Sequence, residues 1–231
     1  MTFKTLSFTT ALVLASAAAY AQTPATAPAP APAPQGPPPQ PQLGPNEWNI
    51  DTAHSTAGFT VKHLMVSTVP GSFGKVTGKI TYDPKNPATL AVDATIDATT
   101  INTNNQRRDD HLRSADFFEV AKYPTITFKS KTATPGAGGT AKLVGDLTMH
   151  GVTKEVTLDV SDLGQPIANG RNFVVGAAAT TTIKRSDWGL TWNRALEAGG
   201  VTVSDEVKIT LGIEATKPNP NAPPPPPRPA Q

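Results

Sequence analysis

The chain has 231 residues, 18 acids against 20 Lys and Arg, and no cysteine. Without cysteine it can form no disulfide, thiolate metal site or thiol nucleophile, so any fold must rest on its core alone. Residues 46–216 carry all 18 acids and 17 of the bases, and that near-neutral balance argues against a nucleic-acid partner, which needs a basic face.

In chain order, Lys4, an apolar run from Leu6 to Ala19 and the small-residue tripeptide Ala19-Tyr20-Ala21 predict a cleavable signal peptide over residues 1–21. The run is too short to anchor the mature protein in a bilayer. The expected location is the periplasm, with full secretion as the alternative. Ten of the 24 prolines fall in 22–45 and eight in 217–231. Pro-rich chain fixes φ and lacks donors, so both flanks read as extended and unpacked, a linker and a C-terminal tail around one domain at 46–216.

That domain is dominated by two-residue alternation, the signature of half-buried strands. Phe59, Val61 and His63 share one face; Val76, Gly78, Ile80 and Tyr82 share another. Leu90, Val92, Ala94 and Ile96 oppose Asp93, Thr95 and Asp97, a pattern that forces one side to water and the other to a core. Ile126 with Phe128, the Ala141–Met149 run with Leu143 and Leu147, Val156–Val160, Phe173–Ile183 with Val175, and Val203–Ile213 continue the series to about eight strands. Val69-Pro70-Gly71, Asp83-Pro84 and Thr134-Pro135-Gly136 are expected as joining turns. The absence of long crossovers predicts an antiparallel sheet, either barrel or sandwich.

One interval, Asn104–Phe118, has no alternation and reads as one or two helical turns placing Leu112 and Phe117 inward. Small inward residues (Gly78, Ala94, Ala141, Gly145, Ala177, Ala179, Thr181) would leave room for a ligand inside a closed eight-strand sheet, or would be filled by larger neighbours.

Trp48-Asn49-Ile50-Asp51, Gly71-Ser72-Phe73, Arg108-Asp109-Asp110-His111-Leu112, Asp116-Phe117-Phe118, Pro124-Thr125-Ile126-Thr127-Phe128, Gly145-Asp146-Leu147-Thr148 and Ser204-Asp205-Glu206-Val207 follow one another across the domain. Together they resemble the YceI-like family of exported polyisoprenoid-binding proteins. The resemblance implies an all-β, eight-stranded antiparallel, lipocalin-like barrel with a short helical insertion. It also implies a non-enzymatic carrier that holds an isoprenoid lipid, either a polyprenyl phosphate or a quinone, in an apolar tunnel.

The expected tunnel residues are Phe59, Val61, His63, Val92, Ile96, Leu112, Phe117, Phe128, Leu143, Leu147 and Val175; the bland alternative for each is ordinary core. For His63 that alternative is a hydrogen-bonded core histidine. Arg108, Asp109, His111 and Arg113 are expected at a rim that meets the head group, or as polar groups that fix the loop. Asp187-Trp188-Gly189-Leu190-Thr191-Trp192 puts two indoles four positions apart near the next loop, either to close one barrel end or simply to pack there. No metal spacing, nucleophile motif or phosphate loop is present, so neither cofactor nor metal is expected. The expected partners are the lipid and, transiently, a membrane; a homodimer is compatible with the sequence. The alternative function is an interaction protein whose Pro-rich tails recruit partners.

Overall fold

The computed structural model describes residues 43–222 apart from 198. The expected signal peptide, most of the linker and the end of the tail lie outside these residues. Twelve strands form one sheet: β1 Glu47–Ile50, β2 Thr56–His63, β3 Ser67–Phe73, β4 Val76–Asp83, β5 Asn86–Asp97, β6 Ile101–Asn102, β7 Thr125–Pro135, β8 Ala141–Met149, β9 Val152–Ser161, β10 Ile167–Asn169, β11 Asn172–Lys184 and β12 Val203–Pro218. One α-helix, α1, spans Gln106–Arg113.

Several of these strands are halves of one longer stave. β1 and β2 both pair with β12, along successive stretches of the same edge. Ser55, between them, substitutes for the interrupted ladder: its Oγ accepts from Glu214 N and donates to Glu214 O, both at 3.1 Å. β3 and β4 likewise pair with β2 and β1 in turn. β5 runs through a short turn, Ala98–Thr100, into β6, with the turn capped by Asp97, whose Oδ1 accepts from Thr99 N at 3.0 Å. Counted this way the sheet is an eight-staved up-and-down antiparallel barrel. β11 closes it along β12 from Asn172↔Pro218 to Lys184↔Glu206. Closure removes the exposed edges that an open sheet would present.

The alternation seen in the sequence sets the inside. Trp48 is fully buried at the far end of the barrel, where its Nε1 donates to Tyr82 O at 3.1 Å. Val76, Leu90, Leu143, Leu158 and Val175 are buried along the staves. Each fully buried side chain of this size is worth about 1.5–3 kcal/mol relative to exposure.

Two expectations need correction. Val69-Pro70-Gly71 is not a turn but the middle of β3, paired with Val61, Thr60 and Phe59. β3 has a second neighbour only at Ser72 and Phe73, so Pro70 occupies a stretch where its missing N–H costs no ladder bond. The domain also runs beyond residue 216, because Phe173 and Asn172 give Lys217 and Pro218 partners that extend β12 into the expected tail.

Candidate functional site

The barrel encloses a cavity of about 700 Å³, within the roughly 300–1,000 Å³ range of small-molecule sites. Its wall is apolar over most of its length. Val207, Ile209, Leu211 and Ile213 project from β12 into it and are only half-buried, because their inner faces meet empty space instead of other side chains.

All eleven residues expected in a tunnel line this cavity: Phe59, Val61, His63, Val92, Ile96, Leu112, Phe117, Phe128, Leu143, Leu147 and Val175. Of the small inward residues, Ala94, Ala177, Ala179 and Thr181 do so as well. Gly78, Ala141 and Gly145 do not. A Cβ on Gly145 would lie 2.6 Å from Phe128 Cζ, so that glycine makes room for a phenyl ring and not for a ligand. Gly78, at φ 143°, lets the β4 backbone approach Asp93 O.

The two ends differ. At the far end, residue Leu163 packs over the core with its N–H on Gly139 O at 3.0 Å, and Tyr82 Oη donates to Gly164 O at 3.3 Å. Burial, and then Asp83, push the Tyr82 hydroxyl up from its ordinary pKa. At the other end, α1 contributes to the wall together with Arg185, Leu190, Trp192 and Thr202. Here lie the remaining ionisable wall residues: His63, Arg107, Arg108, His111 and Arg185. Asn105, Arg107 and Arg108 are exposed members of the wall, so the cavity opens at the start of α1.

Local bonding explains how this end is built. Asn105 caps α1, its Oδ1 accepting from Arg108 N at 3.1 Å. Asp109 is buried and accepts from Thr103 N at 2.8 Å and Thr103 Oγ1 at 2.5 Å. Arg108 adds Nε to Thr103 Oγ1 at 2.7 Å and a terminal nitrogen to Thr103 O at 2.8 Å. Arg113 donates to Thr99 O at 2.9 Å and Ile101 O at 2.7 Å. Asp109 and Arg113 therefore do not line the cavity. They tie α1 to the turn before it, since a buried carboxylate needs donors and stranded carbonyls need a fork of N–H groups.

His111 bonds Asp116 Oδ2 through Nε2 at 2.8 Å and meets Phe117 and Trp192 edge-on at 5.1 and 4.9 Å. His63 makes no side-chain hydrogen bond among the described residues and faces the cavity, unlike the hydrogen-bonded core histidine of the alternative reading.

The two indoles divide their roles. Trp188 is buried, with Nε1 on Leu147 O at 3.1 Å, while Trp192 lines the cavity. Arg185, Tyr82 and Arg107 are wall residues that sequence reasoning missed. Arg185 is 6% exposed, and its guanidinium donates to the carbonyls of Ser204 (3.0 Å), Leu190 and Val203 (3.5 Å). Burial lowers its pKa, with Asp205 opposing; an arginine stays charged regardless.

Away from the cavity, Asp51, His54 and Glu214 bring three candidate metal-ligand atoms within 4.8 Å. His54 is exposed, with Nδ1 3.1 Å from Asp51 and 3.5 Å from Glu214, so its ring nitrogen already has both carboxylates as partners.

A family model for the YceI-like domain matches residues 48–215. The chain belongs to the YceI-like family. A UPF0312 protein of Staphylococcus aureus is 41% identical over 170 residues, covering 72% of this chain and 95% of its own. Among solved structures, Burkholderia cenocepacia BcnA is 25% identical with a TM-score of 0.61, over 71% of this chain and 98% of BcnA. A Campylobacter jejuni YceI protein is 33% identical with a TM-score of 0.57, over 68% and 89%. A polyisoprenoid-binding domain from Saccharophagus degradans, 19% identical with a TM-score of 0.54, shares the fold over 74% of this chain and 98% of that domain. The helical insertion at α1 and the eight-staved barrel are thus features of this YceI-like chain and not of a sandwich.

Proposed function

We propose that this YceI-like barrel binds a long-chain isoprenoid lipid, a polyprenyl phosphate or a quinone, and serves as a non-enzymatic carrier in the periplasm without a cofactor. The observation that carries the reading is the cavity's polarity: an apolar bore with every ionisable wall residue except Tyr82 at one end. Such a bore suits a ligand with one long apolar tail and one polar end. The tail lies toward Leu163 and the head near α1. The polyisoprenoid-binding description of the Saccharophagus degradans domain supports the same ligand class.

Burial of each methylene stabilises by about 0.8 kcal/mol relative to water. A bilayer offers the tail nearly the same gain, so the barrel exchanges lipid with membranes instead of trapping it. Leu64, Met65 and Val66, at 41, 58 and 84% exposure, lie on the β2–β3 turn at the open end and are suited to touch a bilayer during exchange. Leu64 N donates to Thr202 O at 2.9 Å, which holds this apolar tip beside the cavity mouth.

The test is to purify the mature protein from a native-like host, extract it with organic solvent and identify co-purifying lipid by mass spectrometry. A stoichiometric prenyl chain is expected. An empty protein that also takes no prenyl lipid from vesicles would overturn the reading and turn attention to partners of the Pro-rich tails.

A further inference from the structure

The wall of the cavity contains three arginines and two histidines but no aspartate or glutamate. Four carboxylates at this end are turned to other tasks. Asp109 serves Thr103, Asp116 serves His111, Asp110 pairs with Arg113, and Asp205 accepts from Ser186 N and Oγ. The three arginines therefore face the bore with no carboxylate in the wall.

Arg185 is the deepest of them. It is buried, no carboxylate lies within ion-pair distance of it among the described residues, and its partners are neutral carbonyls of the 190–204 segment. A guanidinium has five N–H groups. Those three carbonyls engage three of them, one only weakly at 3.5 Å, and leave donors for a ligand. Asp205 favours the charge only from beyond ion-pair distance, and a buried charge with no opposite charge in contact is costly unless a ligand brings one. Arg108 spends two donors on Thr103, and the exposed Arg107 guards the opening.

We infer that the head group received at this end is anionic, a phosphate or carboxylate attached to the isoprenoid tail, and that Arg185 is its principal charge partner. The inference rests on the lipid-binding reading and narrows it: a neutral quinone or alcohol would leave the arginine cluster unneutralised. Phosphate is favoured over carboxylate because several guanidinium groups converge on one end, and Arg matches phosphate with paired N–H donors.

The experiment measures affinities of the delipidated mature protein for four probes with one tail: geranylgeranyl phosphate, the corresponding carboxylate, geranylgeraniol, and a benzoquinone bearing the same chain. The phosphate should bind at least about tenfold tighter than the alcohol, the gain expected of hydrogen bonds to a charged group. In Arg185→Met the phosphate-to-alcohol affinity ratio should fall to within about threefold. If that variant does not fold, the wild-type ratio still decides. A carboxylate that matches the phosphate supports the anionic head without the preference for phosphate. Alcohol or quinone binding as tightly as the phosphate in the wild type overturns the inference while leaving the carrier reading intact. Failure of all four probes to bind would instead overturn the lipid-binding reading itself.

Discussion

Gly71 and Phe59 face each other across β3 and β2, and their packing can be broken in a way that reports on the cavity. A Cβ built on Gly71 would lie 2.3 Å from Phe59 Cζ and 2.8 Å from both Cε atoms, with no backbone atom among its nearest neighbours. Ordinary contact begins near 3.4 Å, so in Gly71→Ala the ring must move by about 1 Å. Phe73, 5.7 Å away between ring centroids, blocks one direction; the bore is the open one. Overpacking of this kind costs about 1–3 kcal/mol. Phe59→Ala alone should cost about 2–3 kcal/mol, below the usual range for a fully buried phenyl because Phe59 already faces the cavity. In the Phe59→Ala background, Gly71→Ala should be neutral or stabilising by about 0.5–1 kcal/mol, the ordinary advantage of Ala over Gly within a strand. The double-mutant cycle should therefore give a coupling of about 2 kcal/mol. Urea unfolding of the delipidated protein, with unchanged m-values, measures it. The Gly71→Ala single variant should also bind prenyl chains more weakly, since the displaced ring narrows the bore. A coupling below about 0.5 kcal/mol would show that the ring does not rest on the glycine and would refute the packing argument.

Asp109→Ala strands two donors of Thr103 and should destabilise by about 2–4 kcal/mol, with Asp109→Asn losing roughly half as much; a loss under about 1 kcal/mol in urea unfolding would contradict the role given to Asp109. His54 should titrate above 6.5, raised chiefly by its hydrogen bond to Asp51 and then by the charges of Asp51 and Glu214. Its contribution to stability is thus complete below 6.5 and lost as pH rises through the folded-state value, while that of Asp51, whose pKa is lowered from 3.8 mainly by the same bond, is present above 3.8 and lost as pH falls through its folded-state value. NMR of the His54 ring in Asp51→Asn should show the midpoint returning toward 6.5; an unmoved midpoint would mean that the pair does not set it. Val66→Asp should leave the melting temperature unchanged but reduce co-sedimentation with phospholipid vesicles, and undiminished co-sedimentation would exclude the β2–β3 tip as the membrane contact.

What could be read in the sequence was what repeats locally. Leu90, Val92, Ala94 and Ile96 against Asp93, Thr95 and Asp97 announced β5 and its inward face, because a strand's two sides are fixed by a period of two and need no tertiary information. The same rule marked the cavity-lining strand residues from Phe59 to Val175 that were expected there, and loss of the period at Asn104–Phe118 marked α1, which adds Leu112 to the wall. Turn chemistry was less dependable. Pro70 and Gly71 carry turn signals, yet they sit in β3, where a missing second neighbour spares Pro70 and a phenyl ring from the adjacent strand requires the glycine. Whether a small inward residue opens the bore or receives a neighbour's ring was likewise undecided until the strands were paired: Ala177 lines the cavity, whereas Gly145 lies under Phe128. Arg185, in the run Lys184-Arg185-Ser186-Asp187, reads as one more charge at a strand end. Only the β11–β12 register, with Lys184 opposite Glu206, brings the carbonyls of Val203 and Ser204 around its guanidinium and seals it into the wall. Periodicity assigns a side chain to a face; the cavity and its charged end exist only once the ring of staves has closed, because both are made by residues far apart in the chain.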